Sequence, residues 1–345
     1  MGLQRGTTGE ARNKCGGTEA GNRGAPDLFC CGPLEVTVSA PCPVLRDKVA
    51  EGLSLYNVPW APPRRSVALD VIEADVRVPL GRGTYLSCAR MQVDATDDGL
   101  RATSPSGTTC SAATGGDRWT ITVPQAIDAR VLIDIEDAVG LVLTTSWRWL
   151  GWVPLHAGAV VGDGCCALLT APSGGGKTTL TAALIRRGWR TLGDDKLLLR
   201  PSGSGRPEVR ALQHHFNLHP HTGRWFPEVG DLERLPTYST WTEKRKVRIE
   251  DIWPGHAGEQ GTPTHLVLIS RRQDITGLGL TRLGHGDVLS ALLHQAVIPN
   301  DRAIARMVLA TLAATARRLQ GVRVEIGPEA YADPNCVAPL EAMLR

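Results

Sequence analysis

The stretch Ala171-Pro172-Ser173-Gly174-Gly175-Gly176-Lys177-Thr178-Thr179 combines the residue types that grip a polyphosphate. Glycines let consecutive backbone N–H groups turn inward around phosphate oxygens, a lysine closing the loop reaches the β- and γ-phosphates, and the next hydroxyl holds Mg²⁺. On this pattern Ser173, Gly174, Gly175, Gly176, Lys177, Thr178 and Thr179 are expected to bind ATP, with Thr178 a magnesium ligand. The first position of the usual pattern, ordinarily glycine, is Ala171. The chain has only six lysines against abundant arginine, yet keeps one at position 177, where a compact ammonium fits and a planar guanidinium does not.

Seventeen residues beyond Lys177 stand two adjacent carboxylates, Asp194 and Asp195. Phosphoryl transfer uses such a pair: one orients or deprotonates the acceptor hydroxyl, while the other neutralises or binds the metal. Neighbouring like charges also raise the proton affinity of one member, which suits a base. By itself the pair reads equally well as a polar turn, and its position after a phosphate loop and helix favours the functional reading.

A strand, a loop and a helix must hold these groups. Residues 165–170 form a short apolar run of strand type, and 178–187 place Leu180, Ala183 and Leu184 on one helical face before Gly188 stops the helix. The loop therefore sits at a helix N-terminus, where free N–H donors and positive partial charge favour phosphate. Upstream, two strand-like runs in 156–170 are joined by Asp163-Gly164, a two-residue hairpin signal. Pairing Gly162 with Cys165 and stepping outward sets His156 opposite Ala171, beside the start of the loop. Further elements are expected at 189–193 and 197–199 (strands), 265–270 (strand), 287–297 and 301–319 (helices) and 322–326 (strand), with 201–207 a linker.

Residues 1–34 are rich in Gly, Arg, Thr and Asn and poor in apolar types, and read as a disordered tail. Residues 35–132 read as a smaller, mostly β N-terminal domain. Its strands are expected at 34–38, 66–78, 85–88 and 119–123, with a helix at 43–56 and a polar, turn-rich stretch at 94–117. An apolar helix at 133–150 opens the domain 133–345. The fold class is then α/β, a mixed sheet with flanking helices preceded by the smaller β domain.

The formal net charge of the 345-residue chain is +3, which argues against a nucleic-acid partner. No apolar run reaches membrane-spanning length and the N-terminus lacks a signal-peptide core, so a cytoplasmic protein without a membrane partner is expected. The nine cysteines show no C-x-x-C pair, and His214, His215, His219 and His221 lack accompanying ligands, so neither set reads as a metal site. Lys244, Arg245 and Lys246 could attract an acidic substrate or phosphate, or be a solvated charge run. A homo-oligomer is left open.

Three segments together resemble the catalytic core of HPr kinase/phosphorylase-like proteins, whose nucleotide fold is shared with ATP-dependent phosphoenolpyruvate carboxykinase. They are Leu155-His156-Ala157-Gly158-Ala159-Val160, the loop 171–180, and Arg187-Gly188-Trp189-Arg190-Thr191-Leu192-Gly193-Asp194-Asp195. The histidine lies twenty-one residues before Lys177 and the first aspartate seventeen after it, as in that family. The resemblance is close over about residues 150–200. It implies a P-loop kinase domain in which Asp194 is general base toward a serine-type hydroxyl, His156 lies near the acidic pair, and Asp195 supports it and the metal. It also implies an extended substrate-side segment at 213–220. The family's glutamate-isoleucine-arginine-glycine signature is missing, so HPr itself is not the expected acceptor. Small kinases of ribosomal-peptide clusters, lasso-peptide kinases among them, are nearer in size and layout.

The expectation is an ATP- and Mg²⁺-dependent kinase acting on a serine-type hydroxyl of a peptide, protein or small molecule. Carboxykinase-like transfer to a small acid and a non-catalytic ATP-binding regulatory module are the alternatives, the latter disfavoured because a pure sensor needs no base such as Asp194.

Overall fold

The computed structural model describes residues 26–345 apart from 57, 59, 61–64, 75–85, 89, 97, 98, 114, 204 and 238–241. It is a mixed α/β structure that divides into two units. One holds most of the residues before Trp147, and the other holds Trp147–Arg345 together with Tyr56 and Val58.

The first unit carries β1 (Asp27–Cys31), β2 (Leu34–Ser39), α1 (Pro43–Ser54), β3 (Arg65–Glu73), β4 (Leu86–Cys88), β5 (Met91–Thr96), β6 (Gly99–Thr103), β7 (Thr109–Ala113) and β8 (Arg118–Val123), and most of α2 (Ala129–Trp149). Its eight strands form one sheet in the order β1-β2-β3-β8-β7-β6-β5-β4. Period-two burial drives this: Leu34, Val36 and Val38 face the core while Glu35 and Thr37 do not. In α1, Leu45, Val49 and Leu53 recur every fourth residue and are fully buried.

Three expectations change here. The tail 1–34 ends earlier: Leu28-Phe29-Cys30-Cys31 are part of a strand antiparallel to β2, an apolar run that the polar average of the first 34 residues conceals. Residues 1–25 lie outside the described residues, as do 75–78 of the strand expected at 66–78. The turn-rich stretch 94–117 contains most of β5 and all of β6 and β7. Within 94–117 the buried residues of those strands are mostly small, Ala102, Cys110 and Ala112 beside Leu100, and their alternation with Arg101 and Ser111 is faint. The division between units falls inside α2, at Ser146/Trp147, rather than at 132/133, because one long helix supplies residues to both.

The second unit carries β9 (Val153–Leu155), β10 (Gly158–Gly162), β11 (Cys165–Thr170), α3 (Lys177–Ile185), β12 (Arg190–Gly193), β13 (Leu197–Pro201), β14 (Pro207–Ala211), β15 (His215–Leu218), β16 (Arg245–Arg248), α4 (Ile249–Ile252), β17 (Gln260–Gly261), β18 (His265–Arg271), β19 (Leu278–Leu283), α5 (His285–His294), α6 (Arg302–Ala316), β20 (Gln320–Ile326) and α7 (Ala338–Leu344). A six-stranded sheet runs β12-β10-β11-β18-β20-β19, with β11, β18 and β20 mutually parallel and the other three antiparallel to their neighbours. A four-stranded sheet runs β17-β14-β13-β9, and β15 pairs with β16. The expected linker 201–207 is a hairpin turn in that second sheet, Pro201 standing opposite Pro207.

The β10–β11 hairpin turns through Asp163 (φ 48°) and Gly164 (φ 77°), and Gly162 pairs with Cys165 as the dipeptide predicts. Its ladder ends at Gly158↔Leu169. His156 therefore stands outside the ladder instead of opposite Ala171, its backbone N–H donating to the Gln295 carbonyl at 2.9 Å.

The chain leaves the four-stranded sheet after Leu155 and joins the six-stranded sheet at Gly158; on the return it leaves the latter after Gly193 and rejoins the former at Leu197. Leu155↔Leu197 and Ala159↔Gly193 belong to one antiparallel register. One two-stranded ribbon thus switches sheets, and the residues at the switch are His156 and Ala157 on one strand and Asp194, Asp195 and Lys196 on the other.

Candidate functional site

Loop 171–176 connects β11 to α3. The six buried residues of β11 anchor its start, and α3 buries Leu180, Ala183 and Leu184 before Gly188 (φ 92°) ends the turn beyond it. Gly174 (φ 72°) and Gly176 (φ 99°) take backbone conformations that side chains resist. Gly175 is required for a different reason: a Cβ there would meet the Ala171 Cβ at 2.8 Å and the Pro172 carbonyl oxygen at 2.9 Å. Gly176 caps α3 without any side-chain hydrogen bond, so the first N–H groups of the helix are left to a ligand.

Ala171 is nearly fully buried, and its carbonyl accepts from Lys177 Nζ at 3.4 Å. The alanine methyl is accommodated because Gly175 opposite it has no side chain. Lys177 is 8% exposed, and its Nζ also lies 3.4 Å from His156 Nε2. Burial pulls the ammonium pKa down, with Asp195 and Asp194 opposing.

The acidic pair is positioned by the sheet switch. Between Ala159/Val160 and Gly193/Thr191 the β10–β12 register shifts, leaving Leu192 as an extra residue. Thr191 Oγ1 bridges this bulge, donating to Ala159 O at 3.0 Å and accepting from Gly193 N–H at 3.0 Å. On the facing strand Gly158 makes room, since a Cβ there would stand 3.1 Å from Asp194 Cα and 3.2 Å from Gly193 O.

The two carboxylates have different surroundings. Asp194 is 3% exposed; Thr178 Oγ1 donates to its Oδ2, and its Oδ1 is buried without a hydrogen-bond partner among the described residues. Burial, reinforced by the charge of Asp195, pushes its pKa up to about 7, against the Thr178 hydrogen bond and the charge of Lys244. Asp195 Oδ1 lies 2.8 Å from His156 Nε2. Burial would raise Asp195 too, but the hydrogen bond and charge of His156, with Lys196 and Lys177, outweigh it and bring its pKa to about 2. Adjacent carboxylates whose proton affinities are driven apart suit different roles.

These groups line one cavity of about 260 Å³, shared by His156, Asp194, Asp195 and the whole run Ser173, Gly174, Gly175, Gly176, Lys177, Thr178 and Thr179. All the predicted site residues thus converge. Asp194, rather than Asp195, is the carboxylate against the Thr178 hydroxyl. From the expected substrate-side segment the cavity takes Asn217, Leu218 and His219, and from the basic run Lys244. His219 and His221 stack at 5.1 Å, and among the described residues no group of three or more His, Cys, Asp or Glu side chains is arranged to hold a metal by itself.

Trp225, Arg271 and Tyr331 also line the cavity and went unanticipated. For Arg271 and Tyr331 a signal existed in the topology. Parallel strands β11, β18 and β20 end on the same edge, so the residues following them meet there. Arg271 closes β18, and Tyr331 lies in the 3-10 turn Pro328–Ala332 after β20.

No protein-family model matches the chain, and no curated protein matches it by sequence. Among solved structures it is similar to the Hpr(Ser) kinase/phosphatase from Coxiella burnetii, at 10% identity and a TM-score of 0.30, over 55% of this chain and 97% of that one. Among the described residues no helix is long and apolar enough to cross a membrane.

Proposed function

We propose that this protein is an ATP-dependent kinase that transfers the γ-phosphate to a serine-type hydroxyl of a peptide, protein or small molecule. The observation that carries the reading is Asp194: a buried carboxylate whose pKa is pushed up to about 7, one oxygen without a hydrogen-bond partner among the described residues, lining the same cavity as the glycine-rich loop.

The residues fit the nucleotide and its metal. The uncapped N-terminus of α3, the side-chain-free path of Gly174–Gly176 and the Lys177 ammonium are all donors, complementary to phosphate. Thr178 with a carboxylate of the pair would hold Mg²⁺; Asp194 Oδ2 is nearest its hydroxyl, and Asp195 was the sequence expectation. Bound magnesium ATP would supply the transferable phosphoryl group and charge neutralisation.

The chain's own groups do the rest. The Asp194 carboxylate accepts the proton of the acceptor hydroxyl, with a pKa that leaves it able to act as a base near neutral pH. Asp195, kept ionised, holds the His156 imidazole at 2.8 Å and adds negative charge that favours a proton on Asp194. Lys177 gives its ammonium to the phosphates, and Lys244 adds cationic charge at the same cavity.

Asp194→Asn and Lys177→Ala separate binding from chemistry. Expected is ATP affinity retained and phosphotransfer lost for Asp194→Asn, and both lost for Lys177→Ala, read by nucleotide titration and by mass spectrometry of candidate acceptors for one added phosphate. Undiminished turnover by Asp194→Asn would refute the assignment.

A further inference from the structure

Tyr331 sits where the turn after β20 passes the end of the glycine loop. Its ring packs against Trp225, with centroids 5.7 Å apart and planes at 52°, and the residue is 6% exposed. The residue lines the cavity, and the buried hydroxyl at its tip meets no hydrogen-bond partner among the described residues. A phenol buried without a partner forfeits its hydrogen bond to water, and a wholly apolar ring would fill the same space without that penalty.

The location of the oxygen suggests what it serves. A Cβ built on Gly176 would stand 3.9 Å from Tyr331 Oη, so the phenol ends over the last glycine of the loop, at the uncapped N-terminus of α3. The groups around that point, the helix N–H donors and the Lys177 ammonium, are donors as well, and only an acceptor-rich anion is complementary to all of them. We propose that Tyr331 donates its hydroxyl to an oxygen of the nucleotide's phosphate chain, making a residue far downstream of the loop part of the phosphate site. The assignment rests on the ATP-binding reading above. Burial also drives the phenol pKa far upward, so it remains an O–H donor at every pH at which the protein would work.

The test uses the full chain and Tyr331→Phe, which keeps the ring and removes one oxygen. Affinity for magnesium ATP and for inorganic tripolyphosphate should each weaken about tenfold, the scale of a hydrogen bond to a charged group. The ligand-free thermal midpoint should be unchanged or higher, since an unpaired buried hydroxyl has been removed. Unchanged affinity for both probes would overturn the proposal; so would loss confined to ATP, which indicates a ribose or base contact, or a lowered ligand-free midpoint, which indicates a structural role. Lys177→Ala serves as the control. If it abolishes binding while Tyr331→Phe leaves affinity unchanged, the ATP reading stands and only this assignment falls; a wild-type chain that binds neither probe ends both.

Discussion

His156 and Asp195 face one another at 2.8 Å across a two-stranded ribbon as it passes from one sheet to the next. Each strand gives up sheet pairing at that point, and His156, Asp194 and Asp195 from it line the cavity. A sheet switch therefore does here what a bulge or strand end does elsewhere: it aims polar groups into a cavity.

Replacing His156 with alanine removes the hydrogen bond and positive charge that hold Asp195 low. Without them the two carboxylates compete more evenly for a proton, and Asp194 loses its distinct role. Phosphotransfer should fall by roughly 10²-fold, the usual scale for a disturbed acid–base group, with ATP affinity nearly unchanged; kcat and KM for ATP check this.

The raised pKa of Asp194 makes a stability prediction with a definite sign. A carboxyl whose folded pKa, about 7, exceeds the ordinary value of 3.8 favours the folded state at low pH, and that contribution is lost as pH rises toward and past 7. Asp194→Asn abolishes the charge, so its stability relative to wild type should improve as pH rises from about 4 to about 7, by up to about 4 kcal/mol for a shift of this size, and should level off above that. Asp195 behaves oppositely: its contribution is present above the ordinary carboxylate range and is lost as pH falls toward about 2. Melting curves of the metal-free protein across this range test both.

Gly158 touches no substrate in the proposed mechanism, yet Gly158→Ala should impair it. The added methyl would press on Asp194 Cα at 3.1 Å and Gly193 O at 3.2 Å, backbone atoms that move only by shifting the acidic pair. Expected are a loss of about 1–3 kcal/mol in unfolding free energy and a reduced kcat at unchanged ATP affinity. Denaturant unfolding with steady-state kinetics would detect the pattern.

Ala171→Gly restores the usual first glycine of the loop, and it should gain nothing. The group that matters at this position is the carbonyl accepting from Lys177, which glycine supplies equally, while the buried methyl is lost. Nucleotide affinity within twofold of wild type and a stability loss of about 0.5–1 kcal/mol are expected, by titration and thermal melts. A large gain in affinity would mean that alanine distorts the loop.

Much of the site was legible from residue order, because its parts are specified locally. Asp163-Gly164 fixed the hairpin register through two positive φ angles, and the glycines of 174–176 fixed a loop that larger residues cannot follow. The apolar spacing of Leu180, Ala183 and Leu184 marked α3, and Asp194-Asp195 followed it at the end of a strand. Less legible were β1 and β5–β7, whose small or mixed residues alternate too weakly to separate strand from turn, and the hairpin at 201–207, where two prolines read as a break.

The sequence by itself determined which groups are present and the local geometry of loop, hairpin and helix, since these depend on φ preferences and on neighbours within a few residues. Only the tertiary structure decided which aspartate is the buried one, because Asp194 and Asp195 are chemically identical and differ in what surrounds them, the Thr178 hydroxyl for one and the His156 imidazole for the other. It also brought Arg271 and Tyr331 to the loop through the shared edge of β11, β18 and β20, a convergence set by parallel strand pairing over more than a hundred residues of chain.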